Sequence, residues 1–198
     1  MIVIEELCRV VGIPAPAGWP DYFETVKAWG ARTDLTGART DAELAEILFL
    51  DAARLIEAAW LQSVGSLVDI GAGVGAPTIP LLLASPGHRA TLVEPRRKRT
   101  AFLRSAIGSL DLADRALVLE QSVDPDAPLV TGAPFDVALS RATFSAGRWR
   151  EIGSRLADEV WVFTAGTDPV ESDLRLLRRI DYEVPSTGAP RSTLAYSR

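Results

Sequence analysis

From Ser66 onward, short runs that are apolar at nearly consecutive positions alternate with longer stretches of helical periodicity. The runs fall at residues 67–70, 90–93, 116–119, 135–139 and 160–164. A strand that is apolar on both faces must be covered on both faces, so these runs predict a parallel sheet enclosed by helices. Residues 76–84, 96–107, 146–156 and 170–179 are the expected covering helices, and 182–197 allow a terminal hairpin. The fold class is therefore α/β: Rossmann-like, mostly parallel, with helices on both faces. In such sheets ligands sit outside the carboxyl ends of the strands.

The first third of the chain has only the helical period. Ile4, Leu7, Val10 and Val11 share one helical face, and the stretch from Gly12 to Pro16 ends that helix. A second helix is expected after Pro20, with Phe23, Val26 and Trp29 on its inner side. Thr40-Asp41-Ala42-Glu43 fits a capping box, in which hydroxyl and carboxylate satisfy free backbone N–H groups, and opens a third helix reaching about Leu61. The expected organisation is a helical extension over residues 1–62 packed on a core over 63–198.

A chain of 198 residues buries roughly 70% of its unfolded surface and needs no disulfide or structural metal. One Cys and one His exclude an intrachain disulfide and a Cys/His zinc cluster, so no metal is expected. Cys8 reads as a small core residue. His88, in a Pro86-Gly87-His88 turn, reads as solvated. The start Met-Ile-Val-Ile-Glu-Glu is acidic where a signal peptide is basic, and no apolar run approaches the ~20 residues that cross a bilayer. A cytoplasmic protein without membrane contact is expected, with a monomer favoured.

The net charge is 21 − 26 = −5, but Arg89, Arg96, Arg97, Lys98, Arg99 and Arg104 accumulate around a lone acid, Glu94. Such a cluster is either a solvated helix face or a phosphate-contacting surface, because nucleic-acid affinity follows the local field rather than the total.

The block from Val68 to Pro77 follows the first expected strand and opens a helix, so its glycines sit where a ligand can approach the backbone. Gly71, Gly73 and Ala76 satisfy a dinucleotide-binding pattern, and Pro77 suits the first helical turn. Asp69 stands two residues before the first glycine, where a carboxylate repels a pyrophosphate but attracts an ammonium group. Glu94, 23 residues after Gly71 and at the end of the next strand, is placed to accept from ribose hydroxyls. A ligand with a ribose, a cationic amino-acid end and no pyrophosphate is S-adenosylmethionine. A non-catalytic or NAD-binding Rossmann module is the alternative that Ala76 permits and Asp69 disfavours.

The acceptor is read mostly from absences. Cytosine C5 methylation needs a Cys nucleophile, and Cys8 lies on the first helix. Exocyclic amines go with an Asn/Asp-Pro-Pro-aromatic motif after the fourth strand, where this chain has Leu139-Ser140-Arg141-Ala142. A ring nitrogen such as guanine N7 needs alignment rather than a base. Arg141, with Ser140 beside it, is then placed to clamp O6 or a phosphate while leaving N7 unbonded. A structural salt bridge is the competing role for Arg141.

These residues resemble the 16S ribosomal RNA guanine-N7 methyltransferases, also called glucose-inhibited division protein B. The resemblance runs from about Trp29 to Gly166. It rests on Asp34-Leu35-Thr36, Leu50-Asp51, the block from Asp69 to Pro80, Lys98-Arg99 with Phe102-Leu103, and Phe135-Asp136-Val137 leading into Ser140-Arg141-Ala142. It implies a class I methyltransferase fold, S-adenosylmethionine as donor and a guanine of the small ribosomal subunit as acceptor. On this reading Asp69, Gly71, Ala72, Gly73, Gly75 and Pro77 seat the methionine end, Glu94 and Pro95 the ribose, and Val123 with Asp124 the adenine edge. Arg96, Arg97, Lys98 and Arg99 face the RNA.

The chain departs from the family pattern at Leu48, where the family has His, at Ala165-Gly166 for Lys-Gly, and at residues 121–124 for Gly-Arg-Ala-Glu. A divergent relative acting on another RNA or a small molecule is the alternative these departures suggest.

Overall fold

The apolar runs pair as strands of one seven-stranded sheet in the order β3-β2-β1-β4-β5-β7-β6, seen in a computed structural model that describes residues 2–62, 64–166 and 173–197. These strands are β1 (Ser66–Ile70), β2 (Arg89–Val93), β3 (Ala116–Leu119), β4 (Phe135–Ser140), β5 (Ala157–Ala165), β6 (Arg175–Glu183) and β7 (Pro190–Ser197). β1 to β5 are parallel to one another, and β7 runs antiparallel to both its neighbours, β5 and β6. Strand order reverses between β1 and β4, so the loops leaving them diverge and open a crevice there. β3 is less enclosed than its apolar run implies, because as the sheet's edge it leaves Leu117 49% exposed.

The connections are α4 (Thr78–Ala84), α5 (Arg97–Ser109) and α6 (Ala146–Gly153), preceded by α1 (Ile2–Val11), α2 (Trp19–Gly30) and α3 (Asp41–Glu57). α1 buries Ile4, Leu7, Cys8 and Val11, while Val10 points to solvent. At α3, Thr40 Oγ1 accepts from the Glu43 N–H at 3.2 Å, and Glu43 Oε2 reaches back past the cap to the Arg39 N–H at 2.7 Å. The helix ends at Glu57, earlier than its apolar pattern suggests.

The helix expected over 170–179 is not formed where the structure describes it. Residues 167–172 lie outside the described set, and from Arg175 the chain is a strand. Leu and Arg favour helices in isolation, but here every residue from Arg178 to Glu183 has a partner on β7. Arg178, Ile180 and Tyr182 then alternate inward with a period of two. The terminal hairpin thus begins at Arg175, before the expected Tyr182.

One core cluster runs from Ile4 on α1 through Phe49 and Leu55 on α3 to Ala195 on β7, so the N-terminal helices share their apolar contacts with the sheet. Trp19 stacks on Phe49 with ring centroids 4.6 Å apart and donates Nε1–H to the Pro80 carbonyl at 3.0 Å. His88 is half-buried rather than solvated, and its Nδ1 has no hydrogen-bond partner among the described residues. Its carbonyl, with those of Leu82 and Ser85, accepts from Arg115.

The amino ends of β1 and β4 are tied by Asp136, whose Oδ2 accepts from the Gly65 and Ser66 N–H groups at 2.7 Å each. These bonds favour the ionised carboxylate and hold its pKa below the ordinary value. A depressed acid contributes stability above its unfolded pKa near 4 and loses it as pH falls through the folded value. Asp136→Asn is therefore expected to cost about 1–2 kcal/mol at pH 7, with the deficit closing below about pH 4 in urea denaturation. An equal deficit at pH 7 and pH 3 would assign the effect to packing.

Candidate functional site

The turn leaving β1 is shaped by what it must avoid. Gly71 adopts φ +77°, and a Cβ there would collide with the Thr143 hydroxyl that crosses from the loop after β4. The Gly71 and Ala72 N–H groups both donate to the Val93 carbonyl at the end of β2, at 2.8 and 3.1 Å. Glu94 completes the tie: Oε2 accepts from Gly73 N–H and Oε1 from Arg96 N–H, each at 2.9 Å. Its carboxylate therefore fixes the turn in place from the next strand. Tyr22 on α2 holds the same turn from the other side, donating to the Val74 carbonyl at 2.6 Å.

Between these loops lies a cavity of about 430 Å³, within the usual size of small-molecule sites. Asp69, Gly71, Ala72, Gly73, Glu94, Pro95, Arg96, Arg99 and Arg141 all line it. The Gly73 position is open, with an Arg99 nitrogen 3.6 Å and the Gly71 carbonyl oxygen 3.8 Å from a built Cβ. Asp69 is 2% exposed, and its Oδ2 accepts from the Thr78 hydroxyl at 2.6 Å. Burial pushes its pKa up to about 7, against the pull of Thr78 and Arg141.

Other expected residues stand elsewhere. Gly75 packs inside, where a Cβ would lie 2.5 Å from Ile79 Cδ1, and Pro77 caps α4 instead of occupying its first turn. Ser140 donates its hydroxyl to the Ile70 carbonyl at 2.7 Å, tying β4 to β1. Arg97 and Lys98 are exposed and outside the cavity lining. Val123 packs on the smaller core cluster, and the Asp124 carboxylate accepts from Asp126 N–H in a surface turn; neither lines the cavity.

Arg141 both lines the cavity and forms an ion pair. Its Nη1 donates to the Ile47 carbonyl and to Asp51 Oδ2, each at 2.8 Å. Asp51 Oδ1 in turn accepts from the Tyr182 hydroxyl at 2.6 Å. Burial acts to lower the Arg141 pKa, and Asp51 foremost, together with Asp69 and Tyr22, outweighs it, so the guanidinium stays charged. Tyr22, Thr143 and Tyr182 belong to no motif, and Thr78 enters only within the block from Asp69 to Pro80. Asp51 had a signal of its own, as a lone acid inside the run from Ile47 to Ala53, where burial of a carboxylate requires a partner.

The family model of GidB, rRNA small subunit methyltransferase G, matches residues 18–169. The chain belongs to this family. It is 31% identical over 156 residues to the ribosomal RNA small subunit methyltransferase G of Anaeromyxobacter dehalogenans, covering 79% of this chain and 71% of that protein. The enzyme of the same name from Syntrophus aciditrophicus is 33% identical over 73% of this chain and 60% of its own length. Among solved structures, an O-methyltransferase from Bacillus cereus in complex with S-adenosylhomocysteine superposes with a TM-score of 0.65. It covers 100% of this chain and 98% of that one at 17% identity, which speaks to the fold alone. The fold is that of class I S-adenosylmethionine-dependent methyltransferases. Among the described residues no helix is long and apolar enough to cross a membrane, and no group of His, Cys, Asp and Glu could hold a metal ion.

The donor set fits the cofactor of this fold. A buried acid has an oxygen not used by Thr78, a turn with glycine at 71 and 73 gives backbone access, and a second acid stands one strand away. An ammonium group beside Asp69 favours its ionised form, whereas the ligand-free protein holds Asp69 protonated below about pH 7. S-adenosylhomocysteine binding is therefore expected to expel a proton below pH 7 and to tighten as pH rises toward 7, then level off. Calorimetry in two buffers of different ionisation enthalpy reads the proton count. Asp69→Asn should bind more weakly and lose the pH dependence, whereas a variant retaining it would move the titration to another group.

Proposed function

We propose that this chain transfers a methyl group from S-adenosylmethionine to N7 of a guanine in the RNA of the small ribosomal subunit. The observation that carries the reading is the cleft itself: Asp69 and the glycine turn at β1, Glu94 at β2 and Arg141 at β4 converge on one cavity in a chain of this family. The chain spans 71% and 60% of the two family members named above, so the substrate is carried over as part of the proposal. On this reading the enzyme works in the cytoplasm as a monomer, with the small subunit or its RNA as partner.

When bound, the cofactor supplies an electrophilic methyl on a sulfonium. A guanine N7 would accept that methyl through a lone pair that carries no proton, so the protein need supply no base. The protein's task is therefore alignment, for which misplaced reactants are costly. Asp69 and the Gly71–Gly73 backbone anchor the amino-acid end, and Glu94, already fixed by two N–H groups, offers its remaining lone pairs to the ribose. Arg141 orients the acceptor from β4.

The cationic cluster supports an RNA substrate for a reason internal to the helix. Arg97, Lys98 and Arg99 occupy the first turn of α5, which has no acidic residue and no side-chain cap. Cations there oppose the helix dipole. With Arg96 and Arg99 on the cavity rim, the arrangement disfavours the helix and favours an approaching phosphate.

Arg141→Ala is expected to retain S-adenosylhomocysteine affinity while lowering methyl incorporation into undermethylated small subunits by up to about 10². Arg141→Lys should rescue poorly, because one ammonium cannot reproduce a planar fork. Loss of cofactor affinity would move Arg141 into the donor site, and full activity would leave it as a structural ion pair. A parent that binds cofactor but methylates no ribosomal substrate would favour the divergent-enzyme reading.

Replacing Arg96, Arg97 and Arg99 by Glu is expected to weaken RNA binding and to flatten its dependence on salt, since each lost phosphate contact removes about one released counterion. Filter binding across a range of salt measures the slope. An unchanged slope would make the cluster a solvated face.

A further inference from the structure

A second cavity, of about 600 Å³, adjoins the cleft and shares Ile47, Arg141 and Ala142 with it. It lies between α3, the carboxyl ends of β4 and β5, and the β6–β7 hairpin. Three carboxylates line it, and two of them have a donor on each oxygen. Asp51 gives one oxygen to Arg141 and the other to Tyr182. Glu46 accepts from the Ser186 N–H at 2.7 Å and from its hydroxyl at 2.5 Å. Glu43 uses only Oε2, on the Arg39 N–H, and its Oε1 has no donor among the described residues. Glu43 lies one helical turn before Ile47, whose carbonyl holds Arg141. Phe163, half-buried against the main core, forms part of the same wall.

We propose that this cavity takes a single guanine base swung out of an RNA strand, stacked on Phe163, with Glu43 reading its donor edge. The inference rests on the methyl-transfer reading above. Guanine presents two acceptors, N7 and O6, followed by two donors, N1–H and the N2 amine. Arg141 uses Nη1 on its protein partners, and its remaining N–H groups match O6. The Glu43 carboxylate matches N1–H and N2–H. With those edges held, N7 is left unbonded beside the wall that the two cavities share. Adenine reverses the pattern, placing an amine against the guanidinium and a bare N1 against the carboxylate. Unpaired bases are commonly bound in this way, by an aromatic face and edge hydrogen bonds.

The test uses the full chain saturated with S-adenosylhomocysteine, with guanosine and adenosine monophosphates as probes in ligand-observed NMR. Phe163→Leu keeps apolar bulk against the core but removes the ring, and Glu43→Gln keeps the side-chain length that caps α3. The parent is expected to prefer the guanine nucleotide. Phe163→Leu should weaken both probes by roughly five- to hundredfold, the range for losing one base–aromatic stack. Glu43→Gln should weaken the guanine nucleotide alone, shrinking the preference by about tenfold. Unchanged S-adenosylhomocysteine affinity in both variants supports an acceptor role, whereas its loss would place these residues in the donor cleft and overturn the proposal. A parent with no preference for guanine, or variants indistinguishable from it, would also overturn it. If the nucleotide pattern holds but the parent methylates no ribosomal subunit, the pocket stands and the ribosomal substrate falls.

Discussion

The Arg141–Asp51 ion pair ties the loop after β4, helix α3 and the β6–β7 hairpin together at one point. Arg141 leaves β4, Asp51 belongs to α3, and the Tyr182 hydroxyl that fills Asp51's second oxygen comes from β6, with Thr193 of β7 3.1 Å beyond it. The two charged side chains are 26% and 13% exposed. At that depth desolvation consumes much of the Coulombic attraction, so the pair specifies an arrangement more than it adds stability. Removing one partner would leave the other charge enclosed. Burial, and then Asp51, raise the Tyr182 pKa, so its proton remains available to donate.

The cleft around this pair works through contrast between two acids. Glu94 accepts from two backbone N–H groups, which hold the glycine turn at a fixed distance from β2. Asp69 receives a single hydroxyl and is pushed toward neutrality by burial. The first acid is part of the frame, and the second is held in a state that a cation would relieve. Ala142, at φ +59° immediately after Arg141, adopts the left-handed conformation rarely used by residues with a side chain, and it borders both cavities. Strain of that kind persists where neighbouring structure demands it.

The N-terminal helices are part of this site rather than an appendage to it. Tyr22 of α2 holds the Val74 carbonyl, Trp19 holds that of Pro80, and α3 contributes Ile47 and Asp51 to Arg141. Docking these helices sets where the guanidinium points. It also makes α3 the shared wall of the two cavities.

Local chemistry made a good deal of this legible in the sequence. Continuous apolar runs allow only a covered sheet, glycines before a helix allow only a tight turn, and acids at the ends of adjacent strands converge once those strands are parallel. Residues 173–179 were misread because leucine and arginine suit a helix until β7 supplies a partner, a fact carried by residues 190–197 and not by the segment itself. The Asp51–Tyr182 contact spans 131 positions, and Glu43 stands out only because Ser186, Arg141 and Tyr182 occupy the other acids. Periodicity and spacing are properties of neighbours along the chain, so the sequence by itself determined the sheet, its crevice and the two acids at β1 and β2. Which carboxylate is engaged and which remains open depends on partners brought together by packing, and only the tertiary structure decided that.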